Sequence, residues 1–404
     1  MSTILKGMRV VEGSAFVAVP LAGMTLAQMG ADVIRFDRLE GGLDAKRWPV
    51  SDSGASHFWA GMNKGKRSIA IDMRAPEGKE LITRIITAPG EDAGLFISNL
   101  RVRGWMDHET LSKFREDLIM VTLTGDRAGR PQVDYTVNPA LGIPHITGPV
   151  GSEEPVASAL PAWDCIAGNM VVSALLAAER RRLKTGEGDD VQLALKDVAA
   201  ATIGHLGMIG EAYTTNQQRG KSGNALYGAY GQDFVCADGQ RIMIIGLTDR
   251  QWHLILKATG TAAQMEALAQ ERGLSLAEEG NRWQLRDRIT AILKPWFAAR
   301  NLSDFASDFD SMGLTWSVFR SLEEALKMDA DLSEENPMFE IIEQDGLGRY
   351  PVPSSPVTFA HCAERNARIT PKLGQHTEEI LGDVVGACST EIAQLFDKGI
   401  VATS

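Results

Sequence analysis

Asp164 is the residue of this sequence whose position best suits covalent chemistry. It stands just before the apolar run 170–178, which predicts a buried helix. A carboxylate at the N-terminal end of a helix can accept hydrogen bonds from the free backbone N–H groups of the first turn, and the helix dipole favours its charge. Such a position would keep a nucleophilic carboxylate ionised while it is partly shielded from water. The alternative interpretation is a simple N-cap, a common use of Asp that is worth about 1 kcal/mol.

Cys165, the next residue, offers a different nucleophile. A cysteine nucleophile needs an adjacent base, and nothing in the sequence places a histidine near Cys165. A small buried hydrophobic residue is therefore the favoured interpretation. The other cysteines, Cys236, Cys362 and Cys388, are widely spaced, and neither they nor the seven histidines show the spacing of a metal site. We expect no bound metal.

The composition narrows the classes of function. The chain has 404 residues, 44% of them hydrophobic and 23% charged, which predicts a globular protein with more than one domain. Its net charge of -11 disfavours nonspecific nucleic-acid binding. No apolar run approaches the roughly 18 residues that a membrane span needs, and the N-terminus lacks the pattern of a secretory signal. We expect a cytoplasmic protein with neither a nucleic-acid nor a membrane partner.

The elements that would position Asp164 alternate between strand and helix. Residues 8–12 and 32–37 have the pattern of strands, and the helix predicted between them, 20–29, has a proline near its start and Gly30 as its stop. Such a unit indicates a parallel sheet. Further strands are predicted at 68–71, 94–97, 118–123 and 191–195. The predicted fold class is therefore α/β, with a doubly wound, Rossmann-like large domain.

The pattern changes after residue 222. A strand ends in the turn Asp238-Gly239, a strong hairpin signal, and amphipathic helices follow. We predict three parts, which are the N-terminal part of the large domain at 1–222, a smaller α+β domain at 223–330, and a linker with a C-terminal tail at 331–404. Within the last part, the proline-containing segment 350–356 is predicted to be an extended linker.

Two basic clusters suit a polyanionic ligand. Residues 63–68 lead into a predicted strand and residues 99–104 leave one, and open α/β sheets bind ligands at the ends of their strands. Arg38 also follows a strand, and its planar guanidinium could stack on an adenine. Each cluster taken alone is more often a solvated loop. The first βα turn, 13–18, lacks the later glycines of G-x-G-x-x-G, so a nicotinamide or flavin cofactor is not expected.

These pieces recur in the same order in a known family. The chain resembles the class III CoA-transferases over nearly its whole length, and the resemblance is carried by residues 8–12, 22–34, 63–72, 98–101, Asp164 with its helix, 184–188 and 373–379. No single segment is decisive, but their joint order is specific. The resemblance implies a Rossmann-like large domain built from both chain ends, a smaller domain inserted between them, and an interlocked homodimer.

The resemblance also assigns roles by position. It implies that Asp164 is the catalytic nucleophile rather than a simple cap. The residues that would contact CoA are Val17, Ala18, Arg38, Ile71, Arg74, Asn99, Leu100, Arg101 and Arg103. CoA would enter as part of an acyl-CoA substrate, and no prosthetic group is implied.

Differences among the members of this family indicate which of its reactions to expect. Residues 133–139, 195–198, 204–209 and 336–339 are similar to a subgroup that moves CoA between the two carboxyl groups of one diacid. Val133 occupies the place of the histidine base of the family's racemases, so acyl transfer is expected rather than proton abstraction. The glycine-rich loop with which some members cover their site is missing from 222–246. An intermolecular transferase that uses a free acid, and an inactive CoA-binding protein, are the alternatives.

Overall fold

The chain is divided into two compact units. The structure, a computed structural model, describes residues 4–100, 104–362 and 367–403. The large unit consists of the described residues of Met1–Leu141, Ala159–Thr214 and Asp329–Ser404, and the small unit of Gly142–Ser158 and Thr215–Met328. The predicted division, with boundaries after residues 222 and 330, differs from this one in placing 142–158 and 215–222 with the large domain and 329–330 with the small one.

Strands and helices alternate along most of the described chain. The strands are β1 (Arg9–Gly13), β2 (Asp32–Asp37), β3 (Arg67–Ile71), β4 (Leu95–Ser98), β5 (Ile119–Thr124), β6 (Asp189–Ala194), β7 (Tyr230–Val235), β8 (Arg241–Gly246), β9 (Thr315–Val318), β10 (Phe339–Gln344), β11 (Gly348–Pro353) and β12 (Val401–Ala402). The helices of the first half are α1 (Ala18–Gln28), α2 (His57–Met62), α3 (Pro76–Ile86), α4 (His108–Leu111), α5 (Asp134–Ala140), α6 (Ile143–Ile146), α7 (Ala162–Thr185), α8 (Leu195–His205) and α9 (Met208–Thr215). Those of the second half are α10 (Asp249–Thr259), α11 (Ala262–Arg272), α12 (Glu279–Gln284), α13 (Arg286–Ala298), α14 (Ala306–Met312), α15 (Leu322–Met328), α16 (Thr377–Asp383) and α17 (Ser389–Asp397), with short 3-10 turns at Leu302–Asp304 and Ala330–Leu332.

The large unit is organised around one seven-stranded sheet with the order β12-β3-β2-β1-β4-β5-β6. Strands β1 to β6 pair in parallel, in the doubly wound order that the sequence predicted. Strand β12 pairs antiparallel with β3, with Val401 opposite Ile71. The end of the chain therefore completes the sheet that its beginning starts, as expected for a large domain built from both chain ends.

The parallel strands carry apolar runs because both faces of their sheet are covered. The side chains of Val10, Ile34, Ile69 and Phe96 are fully buried. A ligand can therefore reach this sheet only at the loops beyond the strand ends. Among the described helices, none is both long enough and apolar enough to cross a membrane.

The small unit contains the antiparallel sheet β7-β8-β9. Strands β7 and β8 form the hairpin predicted at Asp238-Gly239, with Val235 opposite Arg241. The aromatic rings of Phe297, Phe305 and Phe309 contact one another in its core. This unit is therefore the smaller α+β part that the sequence predicted.

The proline-containing segment predicted as an extended linker is instead part of a hairpin. Residues 348–353 form β11, which pairs antiparallel with β10, and Pro351 and Pro353 lie opposite Ile341 and Phe339. The prediction was wrong because proline is excluded only from central strands. In a two-stranded hairpin every strand has an open edge, where a missing N–H costs little.

Helices α1 and α7 lie with backbone close to backbone. A Cβ atom on Gly168 of α7 would lie 2.6 Å from the carbonyl oxygen of Ala18 in α1, closer than real Cβ contacts, so only glycine fits this packing. Asp164 lies one helical turn before Gly168, and residues i and i+4 share a helix face. The start of α1 therefore lies beside Gly168, and Asp164 is only about 6 Å further along the axis of α7.

Gly168→Ala is expected to lower the thermal stability, because the added methyl group meets backbone that cannot rotate away. Overpacking of this kind typically costs about 1–3 kcal/mol of unfolding free energy. Gly382→Ala in α16 is the matched control, since a Cβ there meets nothing within 4 Å. Thermal unfolding followed by circular dichroism measures both variants. Equal melting temperatures would show that α1 and α7 are not packed this closely.

Candidate active site

The turn between β1 and α1 has an unusual backbone that neighbouring side chains hold in place. Phe16 has a φ of 68°, in the left-handed region that side chains other than glycine rarely adopt. Its N–H donates to Asp44 Oδ2 at 3.1 Å. The amide of Asn99, just past β4, accepts from the N–H of Ala15 at 2.9 Å and donates to the carbonyl of Ala15 at 2.8 Å. Asn99, predicted to contact CoA, therefore also shapes this turn.

The charged side chains that support this turn form a buried network. Arg35 donates hydrogen bonds to Asp37 and Asp44, and Lys66 forms a 2.8 Å ion pair with Glu12. Each of these five side chains is at most 3% exposed. Burial lowers the pKa of Lys66 to about 8, although the charge of Glu12 opposes this. Loss of one member would leave a buried charge without its partner, which typically costs about 3–5 kcal/mol.

The basic cluster at 63–68 is consequently not an open anion-binding patch. Lys66 is committed to Glu12, and Arg67 forms ion pairs with Asp32, Glu379 and Asp383. Lys64 is buried. The prediction counted the positive charges correctly but missed the burial of Lys64 and the partners of Lys66 and Arg67. Those partners come from β1, β2 and α16, which are distant in the sequence.

Two small cavities at the strand ends bring together several of the residues predicted to contact CoA. Arg38 and Arg74 line one cavity of about 230 Å³ together with Met73 and Trp105. Arg38 also lines a second cavity, of about 160 Å³, with Leu100. Two guanidinium groups beside an indole ring can bind both the phosphates and the base of a nucleotide. These positions suit the nucleotide end of CoA.

The remaining predicted contacts are placed differently. Val17 is the N-cap of α1 and Ala18 is its first residue, and neither the cap side chain nor an acidic residue satisfies the N–H groups of this first turn. Such groups suit an anion. The side chain of Ile71 is fully buried in the core, so it offers a ligand only its backbone. Arg101 and Arg103 lie outside the described residues.

Asp164 is not an N-cap, because α7 begins at Ala162 and Pro161 is its cap. The carboxylate that satisfies the helix start is Asp134, the first residue of α5. Its Oδ2 accepts the N–H of Trp163 at 2.7 Å and that of Asp164 at 3.3 Å. The carboxylate of Asp164 is therefore free of capping and remains available for chemistry.

The surroundings of Asp164 make it more basic than an ordinary aspartate. Burial and then the nearby charge of Asp134 raise its pKa to about 6, while Arg47 acts in the opposite direction. Burial also raises the pKa of Asp134, against the effect of its two backbone hydrogen bonds. Asp164 is thus ionised at neutral pH, and its raised basicity makes it a better nucleophile than a solvated carboxylate.

Asp134 and Arg47 are site residues to which the sequence assigned no role. Nothing in the local pattern links either of them to Asp164, because they are 30 and 117 residues away along the chain. Cys165 is not a competing nucleophile, since burial and the charge of Asp164 raise its pKa and keep the thiol protonated. No group of His, Cys, Asp and Glu suited to a metal ion occurs among the residues that the structure describes.

The fold and this site together define a class of enzyme. The chain belongs to CoA-transferase family III, whose family model matches residues 5–377. It is 53% identical over 403 residues to the 2-methylfumaryl-CoA isomerase of Chloroflexus aurantiacus, which covers 100% of this chain and 98% of that protein. The family expected from the sequence is confirmed.

More distant matches also cover nearly the whole chain. The succinate–glutarate CoA-transferase of Agrobacterium fabrum is 27% identical, over 94% of this chain and 95% of its own. The crystal structure of a CAIB/BAIF family protein from Brucella suis has a TM-score of 0.76 and 25% identity, and the match covers 95% of this chain and 100% of that one. The predicted class III fold is therefore confirmed for the single chain.

Asp134→Asn should move the acidic limb of the activity profile to lower pH. The amide oxygen can still cap α7, but the negative charge that raises the pKa of Asp164 is gone, so Asp164 stays ionised in more acidic solution. The measurement is kcat/KM against pH from about 4 to 8. Asp190→Asn, at an exposed carboxylate on β6, is the control and should leave the limb in place. An unchanged limb in Asp134→Asn, or a shift to higher pH, would contradict this electrostatic coupling.

Proposed function

We propose that this protein converts 2-methylfumaryl-CoA into 3-methylfumaryl-CoA by moving CoA between the two carboxyl groups of one diacid. The observation that carries the proposal is Asp164, a shielded carboxylate with a raised pKa, held beside the start of α1 in a chain that matches the Chloroflexus isomerase along its full length. The position and the charge state of Asp164 support this role, and the resemblance to class III CoA-transferases implies it.

The first half of the reaction transfers CoA to the enzyme. The carboxylate of Asp164 attacks the C1 thioester carbonyl, the C–S bond breaks, and a mixed anhydride and CoA thiolate result. The thiolate then attacks the aspartyl carbonyl of the anhydride. The diacid, mesaconate, leaves as a carboxylate, and Asp164 carries CoA as a thioester.

The second half reverses these steps at the other end of the diacid. The C4 carboxylate of mesaconate attacks the aspartyl thioester and expels CoA thiolate, which gives a second anhydride. The thiolate attacks the C4 carbonyl, which releases Asp164 as a carboxylate and forms 3-methylfumaryl-CoA. No step transfers a proton, which agrees with Val133 in the place of the racemases' histidine.

Two features of the site support this route. The nucleotide end of CoA can stay bound at Arg38 and Arg74 while its thiolate leaves and returns, so each return is effectively unimolecular. The N–H groups at the start of α1 lie near Asp164 and could stabilise the oxyanions that form on the attacked carbonyls.

An intermolecular CoA-transferase is the second candidate, because the Agrobacterium relative is named for two different acids. It would use the same Asp164 chemistry but release the first acid and bind another. The distinction lies in whether mesaconate leaves between the two halves of the reaction.

Incubation with 2-methylfumaryl-CoA alone tests the proposal. The C4 isomer should form without lag and without any added acid, and Asp164→Ala should abolish its formation while the protein stays folded. Isotopically labelled mesaconate in excess should enter the product much more slowly than the isomer forms. Label that appears as fast as the isomer, or succinate that serves equally well as acceptor, would favour the intermolecular candidate.

We further propose that the protein works as an interlocked homodimer. Helix α9 has no buried residue among those described, and the apolar side chains of Leu206, Ile209 and Tyr213 are exposed in the single chain. A partner would cover such a patch. The cytoplasmic location of the protein stays a prediction.

Light scattering over a dilution series tests the dimer. Interlocked chains cannot separate without local unfolding, so the dimer mass should persist at nanomolar concentration. A native monomer that appears reversibly on dilution would contradict interlocking.

A further inference from the structure

Arg47 is a cation without an anionic partner. Its guanidinium lies 5.6 Å from the ring centre of Phe16 and 5.0 Å from that of Phe58. Among the described residues no carboxylate forms an ion pair with it, and no acceptor takes a hydrogen bond from its side chain. Aromatic faces hold the group in place without occupying its five N–H donors. These donors are free for an anion from solution.

The backbone of Arg47 is fixed relative to the turn that precedes α1. Its N–H donates to the carbonyl of Asp44 at 3.1 Å, and its own carbonyl accepts the hydroxyl of Ser56. The side chain of Asp44 in turn holds the N–H of Phe16. The loop, the turn and the arginine therefore form one fixed group.

Contacts within the large unit connect this group to Asp164. Phe16 directly precedes the first turn of α1, and Ala18 of that turn touches Gly168, one helical turn from Asp164. Arg47 is also the cation whose charge acts on Asp164. An acyl group attached at Asp164 is thus within the field of Arg47.

We propose that Arg47 binds the carboxylate of the substrate that is not engaged at Asp164. The inference rests on the proposed function, since it requires a diacid. A planar guanidinium fork matches a carboxylate with two parallel hydrogen bonds, and a lysine at this place would lose that match. The ligand chemistry is therefore a second carboxylate on a short, rigid acyl chain.

One cation can serve both halves of the reaction. While C1 reacts at Asp164, the C4 carboxylate lies on Arg47, and after the diacid turns round the C1 carboxylate takes its place. Between the halves both ends are free carboxylates, which is the moment at which an ordinary transferase would release its acid. Binding to Arg47 at that moment retains mesaconate and keeps the transfer within one molecule.

The test measures binding in an Asp164→Asn background, where no turnover consumes the ligand. The two probes are 2-methylfumaryl-CoA and tiglyl-CoA, which has the same trans skeleton with a methyl group in place of the free carboxylate. Arg47→Met should weaken binding of the diacid thioester at least tenfold and leave tiglyl-CoA nearly unchanged. Lys46→Met, which removes an exposed cation from the same loop, is the matched control and should change neither affinity. Isothermal titration measures all affinities.

The other outcomes contradict the proposal. Equal weakening of both thioesters would make Arg47 a contact for CoA or a structural residue, and no weakening of either would make it only a source of charge near Asp164. If the proposed function itself were wrong, wild-type protein would not form the C4 isomer. That result differs from every outcome of the Arg47 binding test. In turnover, Arg47→Met should also raise the share of labelled mesaconate that enters the product.

Discussion

The two hydrogen bonds from the start of α7 to Asp134 determine what Asp164 can do. A helix start needs an acceptor for its N–H groups, and an aspartate in the first turn would ordinarily supply it. Here Asp134 supplies it from another helix, at 2.7 Å from the N–H of Trp163. The carboxylate of Asp164 is left unengaged, next to a second negative charge and partly out of water. Burial first, and the charge of Asp134 second, raise the pKa of Asp164.

This arrangement costs stability. Because burial and Asp134 raise the pKa of Asp164 from 3.8 to about 6, ionising Asp164 opposes folding. The cost is absent below about pH 4, grows as the pH rises, and is complete above about pH 6, where it reaches roughly 3 kcal/mol. The large unit, with its parallel sheet and the close packing of α1 on α7, has to offset this cost.

The sequence predicted what depends on local pattern and left out what depends on distant partners. The alternation of strands and helices, the hairpin at Asp238-Gly239 and the position of Asp164 all follow from short segments. The capping role of Asp134, the ion pairs that occupy Lys66 and Arg67, and the placement of Arg47 on two aromatic rings each join residues far apart in the chain. Local periodicity carries no information on such pairs.

In the proposed mechanism Asp164 is acylated during turnover, and a borohydride quench tests this step most directly. Borohydride reduces an aspartyl thioester or anhydride to the alcohol but leaves a free carboxylate intact. Peptide mass spectrometry after a quench during turnover should find residue 164 with one oxygen lost and two hydrogens gained, and only when substrate is present. An unmodified Asp164 in protein that is visibly turning over would contradict covalent catalysis at this residue.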